Sequence, residues 1–369
     1  MRTVILSLNL DLEISEIKNS LRLQRAVQSV KENLKKYDRI VILSHRGRPE
    51  GFDKSLSLQP ACTALGKAIR KSIPLLDCRK LDLAEIAIEE GKKGSVFMIE
   101  NMRFLKGESS CSNSLSRELA GLGDVFINDD FATAHRKEAS NVGIVKYVKK
   151  AMMGSALKAE LRSLDKVMRA KKGDIVLVVG GAKISDKVSV IANLLPKCST
   201  VLLGGGAGNT AMKAMGFDIG SSVSDNKMIP AMKKLICSRK VYYPCDFRMR
   251  GGAIFDIGPN TARGYAEIIK KANIVVWAGP MGRSEEEAYS KGSVSVAKAV
   301  AACKGYSVVG GGETSAVVVK ADVANKIGFL STGGGAMLEY LSGKKLPAVE
   351  AILKSRPKAE SLKKKKKTK

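Results

Sequence analysis

Short runs of β-branched and other apolar residues alternate with longer amphipathic segments along almost the whole chain. This alternation restricts the fold most, because a strand, a crossover helix and a second strand build a parallel sheet covered on both faces. The predicted strands are Val4–Leu8, Ile40–Leu43, Val96–Ile99, Val125–Asn128, Ile175–Val179, Val201–Leu203, Ile274–Trp277 and Ser307–Val309. The predicted helices are Leu21–Leu34, Leu58–Ile69, Leu115–Ala120, Ser155–Val167, Lys187–Leu195, Thr261–Ala272 and Val294–Cys303. We therefore predict an α/β protein with parallel sheets enclosed by helices.

The composition of the chain changes near its middle. Of the 35 glycines, ten precede residue 171 and 25 follow it, whereas the first half carries isolated arginines and histidines just after predicted strands. Between the halves lies Ser155–Lys172, a charged segment of helix-favouring residues that ends at Gly173. A chain of 369 residues is long enough for two domains of ordinary size. We predict two doubly wound domains joined by this helix.

Several classes of protein are disfavoured by the composition. No apolar stretch approaches the roughly 18 residues that a membrane-spanning helix needs, and Asp11 and Glu13 interrupt the start of the chain before a signal peptide could form. The seven cysteines form no Cys-x-x-Cys pair, and with only His45 and His135 the chain offers no histidine-rich metal site. We expect a cytoplasmic protein with reduced thiols and no membrane partner.

The net charge of +27 is unusual for a chain of this length. Lys354–Lys369 contributes +8 of it through nine basic residues and one acidic residue, and the run Lys363–Lys367 predicts a solvated, disordered tail. Such a tail could bind nucleic acid, ribosomes or an acidic membrane surface through counterion release, or it could equally have no partner. The remaining charge fits either nucleic acid or a small anionic substrate, although the single tryptophan argues against stacking platforms for bases.

Four glycine clusters adjoin predicted strands in the second half. Glycine lets the backbone approach an anion, and a following helix presents free N–H groups to phosphate. One cluster alone could be a tight strand-to-helix turn, but four in one sheet favour a nucleotide site at the carboxyl ends of the strands. Neither a Walker A nor a G-x-G-x-x-G sequence is present, which argues against P-loop and ordinary dinucleotide sites. The clusters are Gly180–Lys183, Gly204–Gly206, Gly310–Thr314 and Ser331–Gly335.

Two lysines, Lys183 and Lys187, follow the first glycine cluster. On a helix that starts at this point, both ammonium groups would project from one face near the N-terminus. A pair of solvated surface lysines is the alternative in so basic a chain. The position directly after a Gly-Gly turn favours contact with phosphate.

Basic side chains follow the predicted strands of the first half. Each one alone is more often a surface residue, but together they indicate a pocket for a small ligand with several negative charges, since guanidinium groups match phosphate and carboxylate oxygens. They are Arg22, His45, Arg46, Arg48, Arg103, His135 and Arg136. A nucleotide site and an anion site in one chain imply phosphoryl transfer, and an acceptor that is already ionised needs no general base.

Taken together, the motifs resemble those of the phosphoglycerate kinase family, collinearly from about Asn9 to Ala351. The matching stretches are Ser44–Pro49, Glu100–Phe104, Asn128–Arg136, Gly180–Lys187, Gly204–Gly206, Asp256–Pro259, Trp277–Gly282, Gly310–Thr314 and Ser331–Ala336. The compact length and residues 342–351 look most like archaeal or short bacterial members. The resemblance implies reversible phosphoryl transfer from 1,3-bisphosphoglycerate to ADP, giving ATP and 3-phosphoglycerate, by a monomer whose two Rossmann-like domains close on a hinge.

The resemblance also implies a division of the chain and roles for single residues. Residues 1–152 would bind phosphoglycerate, 153–172 would form the interdomain helix, 173–345 would bind nucleotide, a helix at 346–355 would return to the first domain, and 356–369 would be the tail. The 3-phosphoglycerate site would comprise Asp11, Glu13, Arg22, His45, Arg46, Gly47, Arg48, Arg103 and Arg136. The phosphoryl group in flight would be stabilised by Arg22, Lys183, Lys187, Gly311 and Gly334. The nucleotide would contact Lys187, Gly204, Gly205, Glu285, Gly310, Gly311, Gly312, Glu313 and Thr314, with Glu285 at the ribose and Glu313 as a ligand of nucleotide-bound Mg²⁺.

Five positions depart from the family pattern. Asn9 and Glu13 stand where the family has Arg and Asn, which removes a positive charge and adds a negative one near the substrate. Arg46 stands where an uncharged residue is usual, and we hypothesise that it offsets Glu13. Ala278 replaces Asn or Ser, and Glu313 replaces Asp. These changes predict an altered KM or rate rather than an inactive enzyme, because the other arginines and both lysines remain.

A second hypothesis comes from another class of protein. A kinase-derived protein could bind nucleic acid through its basic surface and Lys363–Lys367, with Glu13 and Ala278 as marks of a decaying site. The intact Lys183, Lys187 and Gly310–Gly312 argue against decay, so an active kinase is favoured.

Overall fold

The computed structural model describes residues 1–12, 17 and 20–355. It divides into two compact units, the first formed by Met1–Glu160 together with the segment from Lys345, and the second by Leu161–Lys344. Glu13 and the predicted tail at 356–369 lie outside the described residues. In the part of the chain that is described, no helix is both long enough and apolar enough to cross a bilayer.

The first unit is built on six parallel strands in the order β3-β4-β2-β1-β5-β6. The strands are β1 (Thr3–Ser7), β2 (Arg39–Leu43), β3 (Leu75–Leu76), β4 (Ser95–Ile99), β5 (Val125–Asn128) and β6 (Lys150–Met153). Its helices are α1 (Leu21–Leu34), α2 (Gln59–Ile69), α3 (Leu81–Glu89), α4 (Asn113–Gly121) and the first part of α5 (Ser155–Met168). In α1, the apolar residues Leu23, Ala26 and Val30 recur at helical spacing and are buried, so this helix turns one face to the core.

The second unit has the same plan, with six parallel strands in the order β14-β13-β12-β7-β8-β9 and a separate antiparallel hairpin, β10-β11. The strands are β7 (Ile175–Val179), β8 (Cys198–Leu203), β9 (Val241–Tyr242), β10 (Phe247–Arg250), β11 (Ala253–Ile257), β12 (Ile274–Ala278), β13 (Tyr306–Gly310) and β14 (Phe329–Ser331). The helices are α6 (Ser185–Leu194), α7 (Gly205–Ala214), α8 (Ile229–Ile236), α9 (Pro259–Lys270), α10 (Lys291–Ala302), α11 (Gly312–Lys320) and α12 (Gly334–Leu341).

The cores lie on the sheets. Every residue of β1, β2 and β7 is buried, which is the pattern of parallel strands covered on both faces. The last helix, α13 (Pro347–Ser355), packs in the first unit, where the Ala348 N–H donates to the Ala134 oxygen at 3.1 Å. The boundary between the units falls inside α5, after Glu160.

The predicted fold class is confirmed, and all eight predicted strands and seven predicted helices are present with ends that shift by at most three residues. The sequence reading missed the short strands β3, β6, β9, β10, β11 and β14, and the helices α3, α7, α8, α11 and α12. Strands of two to five residues carry little periodicity. Helices α7 and α12 open on Gly-Gly, which has low helix propensity, so tertiary packing rather than local preference forms their first turns.

Candidate functional site

Several predicted substrate residues of the first unit are joined through Asp11 and Gly47. Asp11 Oδ1 accepts a hydrogen bond from the Gly47 N–H at 3.2 Å, and the Gly47 oxygen accepts one from Arg103 Nη1 at 2.5 Å. Arg22 Nη1 donates to the backbone oxygen of Asp11. Asp11, Gly47 and Arg103 follow β1, β2 and β4, which are neighbours in the sheet. The carboxyl ends of these parallel strands therefore bring the two guanidinium groups to one edge.

His45 is buried directly after β2, and its Nδ1 lies 3.6 Å from Asp130 Oδ2. Burial, with the positive charges of the three arginines at 103, 136 and 22, holds the pKa of His45 well below its usual value. Burial also raises the pKa of Asp130 to about 6, against hydrogen bonds that lower it. At neutral pH an uncharged imidazole thus faces a carboxylate. His45 offers hydrogen-bonding capacity to a ligand but no positive charge.

Glu138 is a member of this site that the sequence reasoning missed. Its Oε1 lies 3.5 Å from Arg103 Nη2 and 3.6 Å from Arg136 Nη1, and its side chain is 8% exposed. Burial and the charge of Arg103 lower the pKa of Arg136, whereas the carboxylate of Glu138 raises it. One carboxylate oxygen therefore faces two guanidinium groups predicted to bind substrate. Its only signal in the sequence is an acidic residue two positions after Arg136.

Another buried carboxyl group, Glu108, supports the segment that follows Glu138. Glu108 is 2% exposed and accepts hydrogen bonds from the Ser140 N–H at 3.1 Å and from the Ser140 hydroxyl. Burial raises the pKa of Glu108 to about 7, against these hydrogen bonds. Nothing in the sequence connects Glu108 with Ser140, because they are 32 residues apart and only the fold joins them.

The other predicted substrate residues of the first unit have different surroundings. Arg46 Nη1 donates to the backbone oxygens of Ser55 and Ser57 at 3.2 and 3.1 Å, so its guanidinium group is held by the following loop. Arg48 is exposed, and its charge lowers the pKa of Arg136, which places it near the arginine cluster. Glu13 lies outside the described residues, so its relation to Arg46 stays a hypothesis.

In the second unit, Lys187 lies in the first turn of α6 and is 9% exposed. A Cβ on Gly181 would lie 2.9 Å from Lys187 Nζ, so the ammonium group packs against the Gly181 turn. Burial lowers the pKa of Lys187, and the charge of Lys183 lowers it further, whereas Glu313 and Asp186 raise it. A partly desolvated ammonium group beside a glycine turn is suited to binding a phosphate oxygen.

The prediction that Lys183 and Lys187 share one helical face is wrong. Helix α6 begins at Ser185, so Lys183 precedes it and is exposed. Ile184, the residue that caps the helix between them, is completely buried. The two ammonium groups therefore influence each other electrostatically but do not project together from a helix.

The glycine clusters lie at the carboxyl ends of the strands of the second sheet. Gly311 has φ 102° and caps α11, a conformation that side chains other than glycine rarely adopt. A Cβ on Gly334, the first residue of α12, would lie 3.5 Å from Gly311 Cα, so the predicted pair Gly311 and Gly334 is brought together. Gly310 and Gly312 flank Gly311 at the junction of β13 and α11.

Gly204 and Gly205 precede and open α7, and here close packing also requires glycine. Gly205 has φ 50°, and a Cβ on it would lie 2.9 Å from the Gly181 nitrogen and 3.1 Å from the Pro280 oxygen. A tight strand-to-helix turn, which is the alternative to a nucleotide site for a single glycine cluster, therefore accounts for part of this one. The same close approach leaves the backbone of two turns side by side at the edge of the sheet.

Two predicted nucleotide residues make contacts within the protein. The buried Thr314 accepts a hydrogen bond at Oγ1 from the Gly279 N–H at 2.8 Å, which ties α11 to the end of β12. Glu285 is exposed, and its Oε1 lies 3.2 Å from Arg283 Nε. Glu285 is thus accessible to a ligand, whereas the hydroxyl of Thr314 is engaged by the backbone at Gly279.

Glu313, the predicted ligand of nucleotide-bound Mg²⁺, is exposed in the first turn of α11, and its charge raises the pKa of Lys187. Among the residues that the structure describes, no group of three or more His, Cys, Asp or Glu side chains is placed to hold a metal ion. A single carboxylate fits a Mg²⁺ that takes its other ligands from phosphate oxygens and water. It does not fit a metal ion held by protein side chains alone.

Comparison with known proteins gives a consistent result. The family model described as "Phosphoglycerate kinase" matches residues 2–344. The phosphoglycerate kinase of Francisella philomiragia is 35% identical over 370 residues, covering 93% of both chains, and that of Coxiella burnetii is 36% identical over 371 residues, covering 94% of this chain and 93% of the relative. The structure of the Coxiella burnetii enzyme matches with a TM-score of 0.80 at 33% identity, and that of the Pyrococcus horikoshii enzyme with 0.86 at 29%, each covering 96% of both chains.

Proposed function

The chain belongs to the phosphoglycerate kinase family, and from that membership we propose that it catalyses reversible phosphoryl transfer from 1,3-bisphosphoglycerate to ADP, giving ATP and 3-phosphoglycerate. The single observation that carries the proposal is the match over residues 2–344, which spans both the arginine-rich edge of the first unit and the glycine-rich edge of the second. The activity would make the protein a transferase of glycolysis.

We assign 3-phosphoglycerate to the first unit because its side chains suit both anionic groups of that ligand. Arg103 and Arg136 converge on one carboxylate oxygen, which is the arrangement an oxygen of a phosphate or carboxylate would need. Arg22 is fixed by the backbone oxygen of Asp11, and neutral His45 lies close to all three arginines. Guanidinium groups stay charged at any physiological pH, so this site keeps its affinity for anions across that range.

We assign the nucleotide to the second unit, where the backbone at Gly311 and Gly334 opens two helices side by side. Helix N-termini present free N–H groups and the positive end of the helix dipole to phosphate. Lys187 adds one partly desolvated positive charge next to the Gly181 turn, and Glu285 offers an exposed carboxylate to hydroxyl groups. Glu313 would hold the Mg²⁺ that accompanies the nucleotide, and when bound this ion would neutralise phosphate charge.

The chemistry that we propose needs no general base. The acceptor oxygen, on a carboxylate or on the phosphate of ADP, is already ionised, so the protein has to align the two groups and offset the charge that develops. Arg22 from the first unit and Lys187 from the second are the groups that would stabilise the moving phosphoryl group. A lowered pKa at Lys187 still leaves it a donor of N–H groups to phosphate oxygens.

The competing hypothesis of a nucleic-acid-binding protein gains no support from the family match, and Lys363–Lys367 lies outside the described residues. We further propose that the protein is a cytoplasmic monomer, as expected from its composition and from the resemblance. Light scattering coupled to size-exclusion chromatography gives the mass in solution, and a mass near 39.6 kDa is expected for the full chain. A mass near twice that value would contradict the monomer.

The decisive test is a coupled assay of the full chain with ATP, Mg²⁺ and 3-phosphoglycerate. We expect ADP formation only when all three are present. A matched pair of variants examines the site itself: Lys187→Met removes the buried ammonium group, and Lys183→Met removes the exposed one four residues earlier. Lys187→Met is expected to lower kcat by on the order of 100-fold, the size of effect seen when one preorganised donor is lost, and Lys183→Met by a smaller factor.

Folded protein without turnover under these conditions would contradict the proposed function. Equal effects of the two lysine variants would leave the activity in place but contradict the distinction that burial makes between them. Circular dichroism and thermal unfolding of each variant show whether a loss of rate comes from a loss of fold.

A further inference from the structure

Glu138 places a negative charge between two arginines that are expected to bind an anion. Its Oε1 lies 3.5 Å from Arg103 Nη2 and 3.6 Å from Arg136 Nη1, and we call this arrangement the Glu138 bridge. Both separations exceed the 2.7–2.9 Å that is usual for a charge-assisted hydrogen bond. Each guanidinium group also carries five N–H donors, so the bridge leaves donors for a ligand.

The carboxylate of Glu138 is held in place by the turn that follows it. The Glu138 side chain accepts the backbone N–H of Asn141, and Asn141 Oδ1 accepts the Glu138 N–H at 3.0 Å, which is a reciprocal cap of the turn Ala139–Gly143. Glu108 fixes the same turn by accepting the Ser140 N–H at 3.1 Å. The side chain is 8% exposed, so the carboxylate is largely shielded from solvent and lies against the two guanidinium groups.

The charge of Glu138 therefore acts on any anion that Arg103 and Arg136 bind. Two like charges a few ångströms apart repel, and the repulsion is larger at a partly buried site than in water. The same carboxylate offsets the mutual repulsion of the two guanidinium groups, and Arg48 adds to that repulsion. Glu138 thus keeps the arginines together while opposing the ligand that they attract.

We propose that Glu138 is an internal counter-ion that sets the affinity of the first unit's site, weakening the binding of phosphate-bearing ligands. The inference rests on the proposed function for the identity of the ligand, 3-phosphoglycerate. A site with four arginines nearby would otherwise bind this multiply charged ligand tightly and release it slowly. With the Glu138 bridge in place, the affinity for the ligand depends on the attraction of the arginines less the repulsion of the Glu138 carboxylate.

Isothermal titration calorimetry of the full chain tests this directly, with 3-phosphoglycerate and inorganic phosphate as probes. Glu138→Gln keeps an oxygen that can cap the turn but removes the charge. We expect it to bind both probes on the order of tenfold more tightly, with a difference from the unchanged protein that shrinks as ionic strength rises. Glu138→Asp keeps the charge and is expected to stay within about threefold of the unchanged protein.

The control is Glu90→Gln, which removes the same charge from an exposed position at the end of α3. It is expected to leave both affinities unchanged. If Glu138→Gln does not fold, Glu138→Ala removes the charge with a smaller side chain and carries the same expectation. Unchanged or weaker binding of both probes by a folded charge-removing variant would overturn the proposal, since it would show that Glu138 only shapes the turn or orients the arginines.

Failure of this inference is distinguishable from failure of the proposed function because calorimetry does not depend on turnover. If the unchanged protein binds no 3-phosphoglycerate, the ligand assignment fails, while the effect of Glu138→Gln on inorganic phosphate still tests the counter-ion. If 3-phosphoglycerate binds and the variants do not differ, the counter-ion fails and the kinase assignment stands.

Discussion

The two units share one plan, a six-stranded parallel sheet with its candidate site at the carboxyl ends of the strands. They differ in the groups that present positive charge to an anionic ligand. In the first unit, the positive groups are long side chains such as Arg22, Arg103 and Arg136. In the second unit, they are backbone N–H groups at glycine turns, with Lys187 as the one buried ammonium group among the described residues.

This difference has a physical reason. A guanidinium group has many rotamers, so it needs partners to fix it, and the first unit supplies the oxygens of Asp11, Gly47 and Glu138. A backbone N–H at a helix end is already fixed by the fold, so the second unit needs only residues that permit the turn. Sites of the first kind should respond to the loss of a charge, and those of the second kind to the addition of a Cβ.

Arg22→Ala is the change with the largest expected effect. It removes the one arginine of the first unit that would reach the moving phosphoryl group, so kcat should fall by on the order of 1,000-fold while 3-phosphoglycerate binding remains measurable. Steady-state kinetics and calorimetry measure the two quantities separately. Arg79→Ala, which removes an exposed guanidinium group paired with Asp77, is the control. A near-normal kcat for Arg22→Ala would contradict the role assigned to it.

Gly311→Ala tests the site of the second unit, in which backbone N–H groups at glycine turns would bind the ligand. A residue with a Cβ at φ 102° costs about 1–3 kcal/mol of strain, so the turn should move and the KM for ATP should rise on the order of tenfold, with the KM for 3-phosphoglycerate unchanged. Gly264→Ala lies inside α9 with no atom within 4 Å of the added Cβ, and it should stabilise the fold slightly without changing either KM. A change in both KM values by Gly311→Ala would show that the units do not respond separately.

Glu108→Gln tests the buried carboxyl group that holds the turn after Glu138, through the pH dependence of the free energy of unfolding. Burial raises the pKa of Glu108 to about 7 from 4.5, so the folded state holds its proton over a pH range in which the unfolded chain releases it. The free energy of unfolding should therefore fall as pH rises from about 4.5 to 7, and Glu108→Gln should lack this loss. The free energy of unfolding of the variant, relative to that of the unchanged protein, should rise by on the order of 2–3 kcal/mol between pH 5 and pH 8.

Urea unfolding at several pH values measures this gain. The exposed Glu118→Gln provides the control, since it makes the same chemical change at a position that is not buried. A gain that is the same at pH 5 and pH 8 would mean that the effect of Glu108 comes from packing and not from its proton.

Arg46→Leu has the smallest expected effect. Because its guanidinium group donates to the oxygens of Ser55 and Ser57, we expect the KM for 3-phosphoglycerate to stay within about twofold and the melting temperature to fall by a few degrees. A clear rise in KM with an unchanged melting temperature would instead favour the hypothesis that Arg46 offsets Glu13.

Much of this organisation could be predicted from the sequence because its signals are local. Apolar runs such as Ile175–Val179 predict buried strands, and the arginines that follow strands predict an anion-binding pocket at one edge of a sheet. Glu138 and Glu108 could not be predicted in the same way. Their significance lies in partners brought close by folding, Arg103 for Glu138 and Ser140 for Glu108, and no spacing in the chain records those contacts.

Lys183 and Lys187 show where a local pattern misleads. A spacing of four residues indicates one helical face only if the helix includes both, and here the helix begins at Ser185, between the two lysines. The helical period describes side chains once a helix exists, but it does not tell where the helix begins.

The sequence by itself determined the parallel α/β fold, the concentration of arginines in the first half and the glycine turns in the second, because strand patterns and backbone permissiveness are properties of short segments. Only the tertiary structure decided which charges face each other, which lysine is buried and which carboxyl group, that of Glu108, has its pKa raised to about 7. Those properties depend on distance and on exclusion of water, and both are fixed when remote segments of the chain pack together.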